Sequence, residues 1–500
     1  MRERLGMACL LAAVMVVPAL AQERQVQETI AIDAYAAATP FPHFWEEMFG
    51  SGRAILSLRE SYRDDLTAVK GVTGFKYVRF HAILHDEVGV YDEDEKGQAK
   101  YNFTYVDQIY DGLLKRGVRP VVEISFMPKK LAAKDAPHAF WYKPNVAPPK
   151  DYARWDALVK AFAEHLVQRY GIDEVSQWYF EVWNEPNIDF WVGEPKQATY
   201  FELYKHTART VKAVNPRLRI GGPATAASEW VPEFLKTMHD ERVPVDFVST
   251  HAYADENFEH TFTKAELPPM DDRVCAVVKG VHTQIAASPM PKLPLFITEW
   301  NVVGLDGARD TTFVGPALAN TIRECDGLTK MMSFWTFSDV FEEDGVKPEP
   351  FLGYFGLIAP GGIRKPSFSA FLMLHHLGNE RLANAAKDAL VTREPDGTLV
   401  VAVWSEADPH VDGVHKQMRL QFEHMPVDAA VRVTRLDATH GNTMAAYKAM
   451  GSPRYPTQAQ IAQLNAASET GTPEIMALRQ GRIDVDVPVN ALVLLEVAGR

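Results

Sequence analysis

Between residues 44 and 376 the chain alternates two hydrophobic patterns. Short, nearly continuous apolar runs occupy 44–49, 77–81, 118–124, 179–183, 218–221, 245–251, 293–298 and 330–335. Between them, apolar residues recur every three or four positions. Tyr105, Val106, Ile109, Tyr110, Leu113 and Leu114 form one such stripe, and Trp155, Leu158, Val159, Phe162 and Leu166 another. The runs predict strands buried on both faces, and the stripes predict amphipathic helices. Helices are expected at 59–70, 152–170 and 199–214, with a last one at 367–377. Gly117, Gly171 and Pro216 stand where helices should stop. Eight strand–helix pairs predict an α/β chain folded as a (β/α)8 TIM barrel. A doubly wound open sheet would share the alternation, but no G-x-G-x-x-G or Walker loop follows an early strand.

After residue 380 the period changes from helical to two. Alternating segments at 389–392, 398–404, 417–422, 430–435, 482–487 and 491–497 predict an accessory C-terminal β-sandwich. The segment 28–35 is expected to add a strand to it, and 440–478 to interrupt it as a polar, partly helical insertion. The expected division is therefore 22–40 for the N-terminal strand, 41–378 for the barrel and 379–500 for the sandwich.

The first twenty-one residues follow neither pattern. Arg2 and Arg4 precede an apolar run at 5–17, then Pro18 and Ala19-Leu20-Ala21. This is the layout of a cleaved secretory signal, and the run is too short to span a bilayer. Export to the periplasm or the medium is expected, with no membrane attachment after cleavage. A net charge of −13 disfavours binding to a nucleic-acid backbone. Cys275 and Cys325 remain after cleavage and are expected to be free structural thiols. No Cys/His cluster has metal-ligand spacing, and neither a metal nor another cofactor is expected.

A barrel of this kind places its chemistry at the C-terminal ends of its strands. There the fourth strand runs into Trp183-Asn184-Glu185-Pro186 and the seventh into Thr298-Glu299-Trp300-Asn301. The sixth ends in Ser249-Thr250-His251-Ala252-Tyr253, the second in Arg79-Phe80-His81, and the eighth in Trp335-Thr336-Phe337-Ser338-Asp339 with Phe341-Glu342-Glu343 beyond. Taken singly, each has an ordinary reading: a chance Asn-Glu-Pro, a surface salt bridge, a core histidine or tryptophan. Taken together, they put two carboxylates across one barrel mouth, the requirement for hydrolysing a glycosidic bond.

Six stretches resemble glycoside hydrolase family 39 of clan A, the family of β-xylosidases and α-L-iduronidases. They are YVRFHAILHD (77–86), VEISFMP (122–128), WNEPN (183–187), STHAY (249–253), ITEWN (297–301) and FWTFSDVFEE (334–343). HGNTMAAYKAMGSPRYPT (440–457) is similar to the family's insertion in its β-sandwich. The resemblance implies a retaining exo-glycosidase with Glu185 as acid/base and Glu299 as nucleophile. It implies Asn184 as the partner of the sugar 2-hydroxyl, and His251 and Tyr253 as neighbours that set orientation and protonation. His81 and Phe126 become walls for the terminal sugar, Trp335 its platform, and Glu342 and Glu343 acceptors for its distal hydroxyls. Two acids at that rim suit a neutral sugar and would repel a uronate. The expectation is release of xylose from xylo-oligosaccharides. Another exo-glycosidase (a β-glucosidase, an α-L-arabinosidase or an α-L-iduronidase) and a non-catalytic carbohydrate-binding protein are the rivals. Family relatives are often oligomeric, so a homo-oligomer is admitted.

Overall fold

A computed structural model describes residues 24–262, 266–407 and 411–499. The signal-like segment 1–21 lies outside the described residues. Eight parallel strands close into a barrel: β1 (Met48–Ser51), β2 (Tyr77–Phe80), β3 (Arg119–Ile124), β4 (Tyr179–Val182), β5 (Arg219–Thr225), β6 (Phe247–Tyr253), β7 (Leu295–Asn301) and β8 (Met331–Phe334). Each pairs in parallel with the next, and β8 closes onto β1. The helices expected from periodicity wrap it; Tyr152–Tyr170 buries Trp155, Leu158, Val159, Phe162 and Leu166, its predicted stripe. The closing helix, expected at 367–377, spans Pro366–Leu374.

The first strand lies later than expected. Phe44 and Trp45 belong to a turn before β1, where Phe41 packs on Trp45 with ring centroids 5.2 Å apart. Both are fully buried. An apolar run registers burial without distinguishing a strand from a buried turn.

The barrel interior is layered, and the layering follows from the two-residue period of a strand. Met48, Tyr77, Val121, Tyr179, Phe247, Phe296 and Met331 meet in one apolar layer. Two residues further along six of those strands come Arg79, Glu123, Glu181, Ser249, Thr298 and Ser333, all buried and all polar. The barrel is thus oily towards its N-terminal end and polar towards its C-terminal end.

The C-terminal region forms two sheets. Strand Arg24–Asp33 pairs in parallel with Val414–Glu423, which pairs in turn with Arg482–Val487. The other sheet has seven strands. Ile30, Ile32, Leu420 and Val485 from the first face Val401, Val403, Val431 and Val493 from the second in one apolar cluster. The insertion carries helices Thr443–Ala449 and Gln458–Ala467, and its end, Glu474–Ala477, pairs with Ala430–Leu436. Trp404, Leu436, Leu492 and Leu494 join the apolar core that surrounds the barrel.

The cysteines correct an expectation. Cys275 and Cys325 form a disulfide rather than two free thiols, with Cα atoms 5.1 Å apart. They lie on helices Met270–Ala286 and Val314–Cys325, which pack side by side. Fifty residues of sequence separation conceal that approach.

Candidate active site

Glu185 stands just past β4, where the backbone leaves the sheet abruptly. Trp183 has φ 71° and Glu185 φ 43°, a left-handed conformation that residues with a Cβ rarely adopt. The Glu185 N–H donates to Ala224 O at 2.8 Å, tying the turn to β5. The side chain is thereby held inward beside His251, whose Nδ1 lies 2.8 Å from Glu185 Oε1.

Glu299 arrives from β7. The pairing of β6 with β7 shifts register between Thr250 and His251, which places His251 opposite Glu299. Such irregularities re-aim side chains at the rim of a barrel. Both Glu299 oxygens have partners. Arg79 Nη1 donates to Oε1 at 2.6 Å, and the Tyr253 hydroxyl donates to Oε2 at 2.9 Å.

Arg79 organises this floor. Fully buried, it also contacts Glu181, Asn184 Oδ1 at 2.9 Å and Glu123 at 2.8 Å. One cation therefore orients the nucleophile candidate and the asparagine beside the acid candidate. His81 sits above it, bonded to Glu123 at 2.7 Å, with Nε2 3.7 Å from Glu299 and 3.6 Å from Glu343.

These environments push protonation apart. Burial raises Glu185 to about 7, against the opposing pull of His81 and Arg79. Loss of solvent is the main cause of this shift. Burial lowers His251 to about 4, so it is neutral at physiological pH. His81, despite its burial, is raised to about 9 by the Glu123 carboxylate. Tyr253 is held far above its ordinary value by burial and Glu299, and remains a donor. The arrangement offers, just past β4, a carboxyl that keeps its proton up to about pH 7, and on β7 a second carboxyl held by a guanidinium and a phenol.

The two face a cavity of 490 Å³. Of the residues singled out in the sequence, His81, Asn184, Glu185, Tyr253, Glu299, Trp335 and Glu343 line it. His251 lies behind Glu185. Phe126 is fully buried one layer back, stacked on Phe190 at 5.8 Å, and Phe190 supplies the wall. Glu342 turns away: Arg53 holds it at 3.1 Å and Arg59 pairs with it from the other side. Of the two neighbours, Glu343 is the one that lines the cavity, its carboxyl raised by burial to about 8.

Residues not assigned from the sequence complete the walls, among them His138, Phe140, Asp255, Glu256, Arg309 and Phe355. Arg79, Glu123 and Glu181 carried a legible signal, being charged residues at alternate positions of otherwise apolar strands. Buried charges require partners. The loop residues carried no such signal.

Among the described residues, two sets have donor atoms within 4.8 Å of one another: Glu185, His251 and Glu299, and His43, Glu46 and His375. In the first, a cation would compete with Arg79 for Glu299. In the second, both imidazoles already bond Glu46 at 2.8 Å.

Known proteins with this layout are sequence relatives along nearly the whole chain. A curated β-xylosidase of Geobacillus stearothermophilus is 39% identical over 475 residues, covering 91% of this chain and 93% of its own. One from Caldicellulosiruptor saccharolyticus is 35% identical over 445 residues, 85% and 88% of the two chains. The crystal structure of a monomeric β-xylosidase from Caulobacter crescentus CB15 superposes with a TM-score of 0.85 at 35% identity, over 94% of this chain and 99% of that one. The description Glycosyl hydrolases family 39 matches residues 28–484, and the chain belongs to that family.

Proposed function

We propose that the protein is a retaining exo-β-xylosidase that releases xylose from the non-reducing end of β-1,4-xylo-oligosaccharides. The observation that carries the reading is the spacing of the two carboxyls. An oxygen of Glu185 lies within 4.8 Å of one of Glu299. Inversion needs room for a water between carboxyls roughly 6.5–9.5 Å apart, whereas retention uses a pair about 5–5.5 Å apart.

In this mechanism Glu299 attacks the anomeric carbon while Glu185 passes its proton to the leaving oxygen. Arg79 and Tyr253 hold Glu299 on the attacking path, and Asn184, fixed by Arg79, meets the 2-hydroxyl. Forming the ester removes the charge on Glu299. Glu185, left ionised by passing on its proton, then takes a proton from the water that attacks the ester and releases the sugar.

The xylose assignment draws on the relatives' activity and on Glu343. Burial raises the Glu343 carboxyl to about 8, so at neutral pH it offers the distal hydroxyls of a neutral sugar both a donor and an acceptor. Closure of the distal end supports exo action: Trp141 N–H donates to Glu343 O at 2.7 Å, and Arg53 lies under the Trp141 and Tyr142 rings. The test is a panel of aryl β-xyloside, β-glucoside, α-L-arabinoside and α-L-iduronide, with the first-formed anomer read by NMR. Preference for the xyloside with β-xylose appearing first is expected. Another preferred sugar overturns the substrate, and α-xylose first overturns retention. Glu299→Ala should lower kcat by roughly 10⁴-fold or more, the scale of losing a covalent catalyst; a pure carbohydrate binder would have no turnover to lose.

Export is the second part of the proposal. The layout of residues 1–21 supports it, and so does the Cys275–Cys325 disulfide, since such bonds persist in oxidising compartments. N-terminal sequencing of the mature protein should begin at Gln22; a retained leader would count against it.

A further inference from the structure

The cavity, at 490 Å³, is larger than one terminal sugar requires, and part of its lining has no role in the steps above. His81 lies beside Trp335 and Glu343; Asp255, Glu256, Arg309 and Phe355 line the same cavity. Glu256 belongs to the Glu185 side. Asn187, two residues past Glu185, exchanges hydrogen bonds with Ala226 at 2.9 and 3.0 Å. Ala227 N–H donates to Glu256 Oε1 at 3.3 Å, and Tyr253 N–H donates to Oε2 at 2.8 Å. Glu256 is thereby fixed by backbone beside the residue that protonates the departing oxygen. Arg309 lines the same cavity, its guanidinium 4.5 Å from the Phe355 ring centre, and that ring lies 6.4 Å from the ring of Tyr253. One of its nitrogens donates to Val302 O at 3.2 Å.

We propose that Glu256 and Arg309 form the leaving-group subsite, binding hydroxyls of the neutral sugar that departs with the protonated oxygen. The inference rests on the glycosidase reading above and assigns the part of the cavity lining that reading leaves unused. Three observations converge. Protonation by Glu185 requires the departing sugar on its side of the cavity. Glu256 puts a carboxyl on that side and Arg309 adds a guanidinium to the same cavity, a pair that can meet both donors and acceptors of a sugar ring. Both are held in place before substrate arrives, Glu256 by two N–H groups and Arg309 by Val302 and Phe355, so little ordering is needed on binding. Burial also raises Glu256 to about 8, which lets its carboxyl donate as well as accept at neutral pH.

The test compares two leaving groups in the full-length mature enzyme. Wild type, Glu256→Gln and Arg309→Ala are assayed on xylobiose and on p-nitrophenyl β-xyloside, whose activated phenol needs little help to depart. In each variant the ratio of kcat/KM for xylobiose to that for the aryl xyloside should fall at least about tenfold, the weight of one or two polar contacts. Transfer from the glycosyl-enzyme to added xylobiose, relative to water, should fall in parallel. A ratio within about twofold of wild type, or equal losses on both substrates, overturns the proposal, because a purely structural role would weaken both alike. Glu256→Gln keeps an acceptor for one of the two N–H groups; should it fail to fold, Arg309→Ala decides. If the wild type prefers another sugar, the same ratio is taken with that sugar's disaccharide. The xylose assignment then fails while the subsite is still judged.

Discussion

Glu185 shows how much one residue's surroundings decide. A free glutamate would be ionised at neutral pH, but burial lifts this one to about 7. Its acid form is needed for the first chemical step. The sign therefore runs one way: kcat/KM should be high below pH 7 and fall as pH rises through about 7. A pH–rate profile on an aryl xyloside checks this, and Glu185→Gln should abolish that limb. Arg79 is the complementary case, a permanent cation among Glu123, Glu181 and Glu299 with no exposure to solvent. Removing one partner of a buried ion pair leaves uncompensated charge, destabilising by about 3–5 kcal/mol. Arg79→Met should lower the urea midpoint accordingly, and it should also reduce turnover by unseating Glu299. Loss of activity with unchanged stability would mean that Arg79 matters for the chemistry alone.

Elements matter where they end. The turn after β4 and the register shift between β6 and β7 bring Glu185, His251 and Glu299 together, whereas regular continuation of either would point them elsewhere. Towards the N-terminal end of the barrel the strands supply apolar packing. Helices Met270–Ala286 and Val314–Cys325 sit outside this machinery, and the Cys275–Cys325 disulfide staples them across 50 residues of sequence. Loop closure over such a span corresponds to an entropic stabilisation on the order of 4 kcal/mol. The Cys275→Ser/Cys325→Ser double variant should melt at a lower temperature, while its kcat/KM at 25 °C stays within about twofold of wild type. Calorimetry with parallel kinetics separates the two effects. An unchanged melting temperature would show that native packing already holds the helices together.

At the scale of the whole molecule, the barrel does not stand alone. Arg24–Asp33 leaves the N-terminus to become the parallel edge of a sheet whose other strands come from beyond residue 413. Its Ile30 and Ile32 are almost wholly buried there. Each such side chain contributes roughly 1.5–3 kcal/mol when removed from water. Deleting 24–33 would also leave the backbone of Val414–Glu423 unpaired along one edge, a template for association between molecules. The truncated protein should lose stability and aggregate, read by thermal scanning and size-exclusion chromatography. A soluble truncation with unchanged melting temperature would show the strand to be dispensable.

What the amino-acid sequence settles by itself is what local chemistry dictates. Periodicity distinguished strands from helices because burial has a different repeat in each, and eight such pairs left a barrel as the natural closure. The carboxylates were legible because they follow apolar runs, in WNEP and ITEWN, where strands end. Glu342 and Glu343 could not be told apart in the same way. They are neighbours in sequence, and only the approach of Arg53 and Arg59 turns one away and leaves the other facing the cavity. The disulfide, the role of Arg79 and the wall formed by Glu256, Arg309 and Phe355 were likewise decided by tertiary structure. Each depends on contacts between segments distant along the chain, and no local pattern of apolar and polar residues encodes which distant segment arrives.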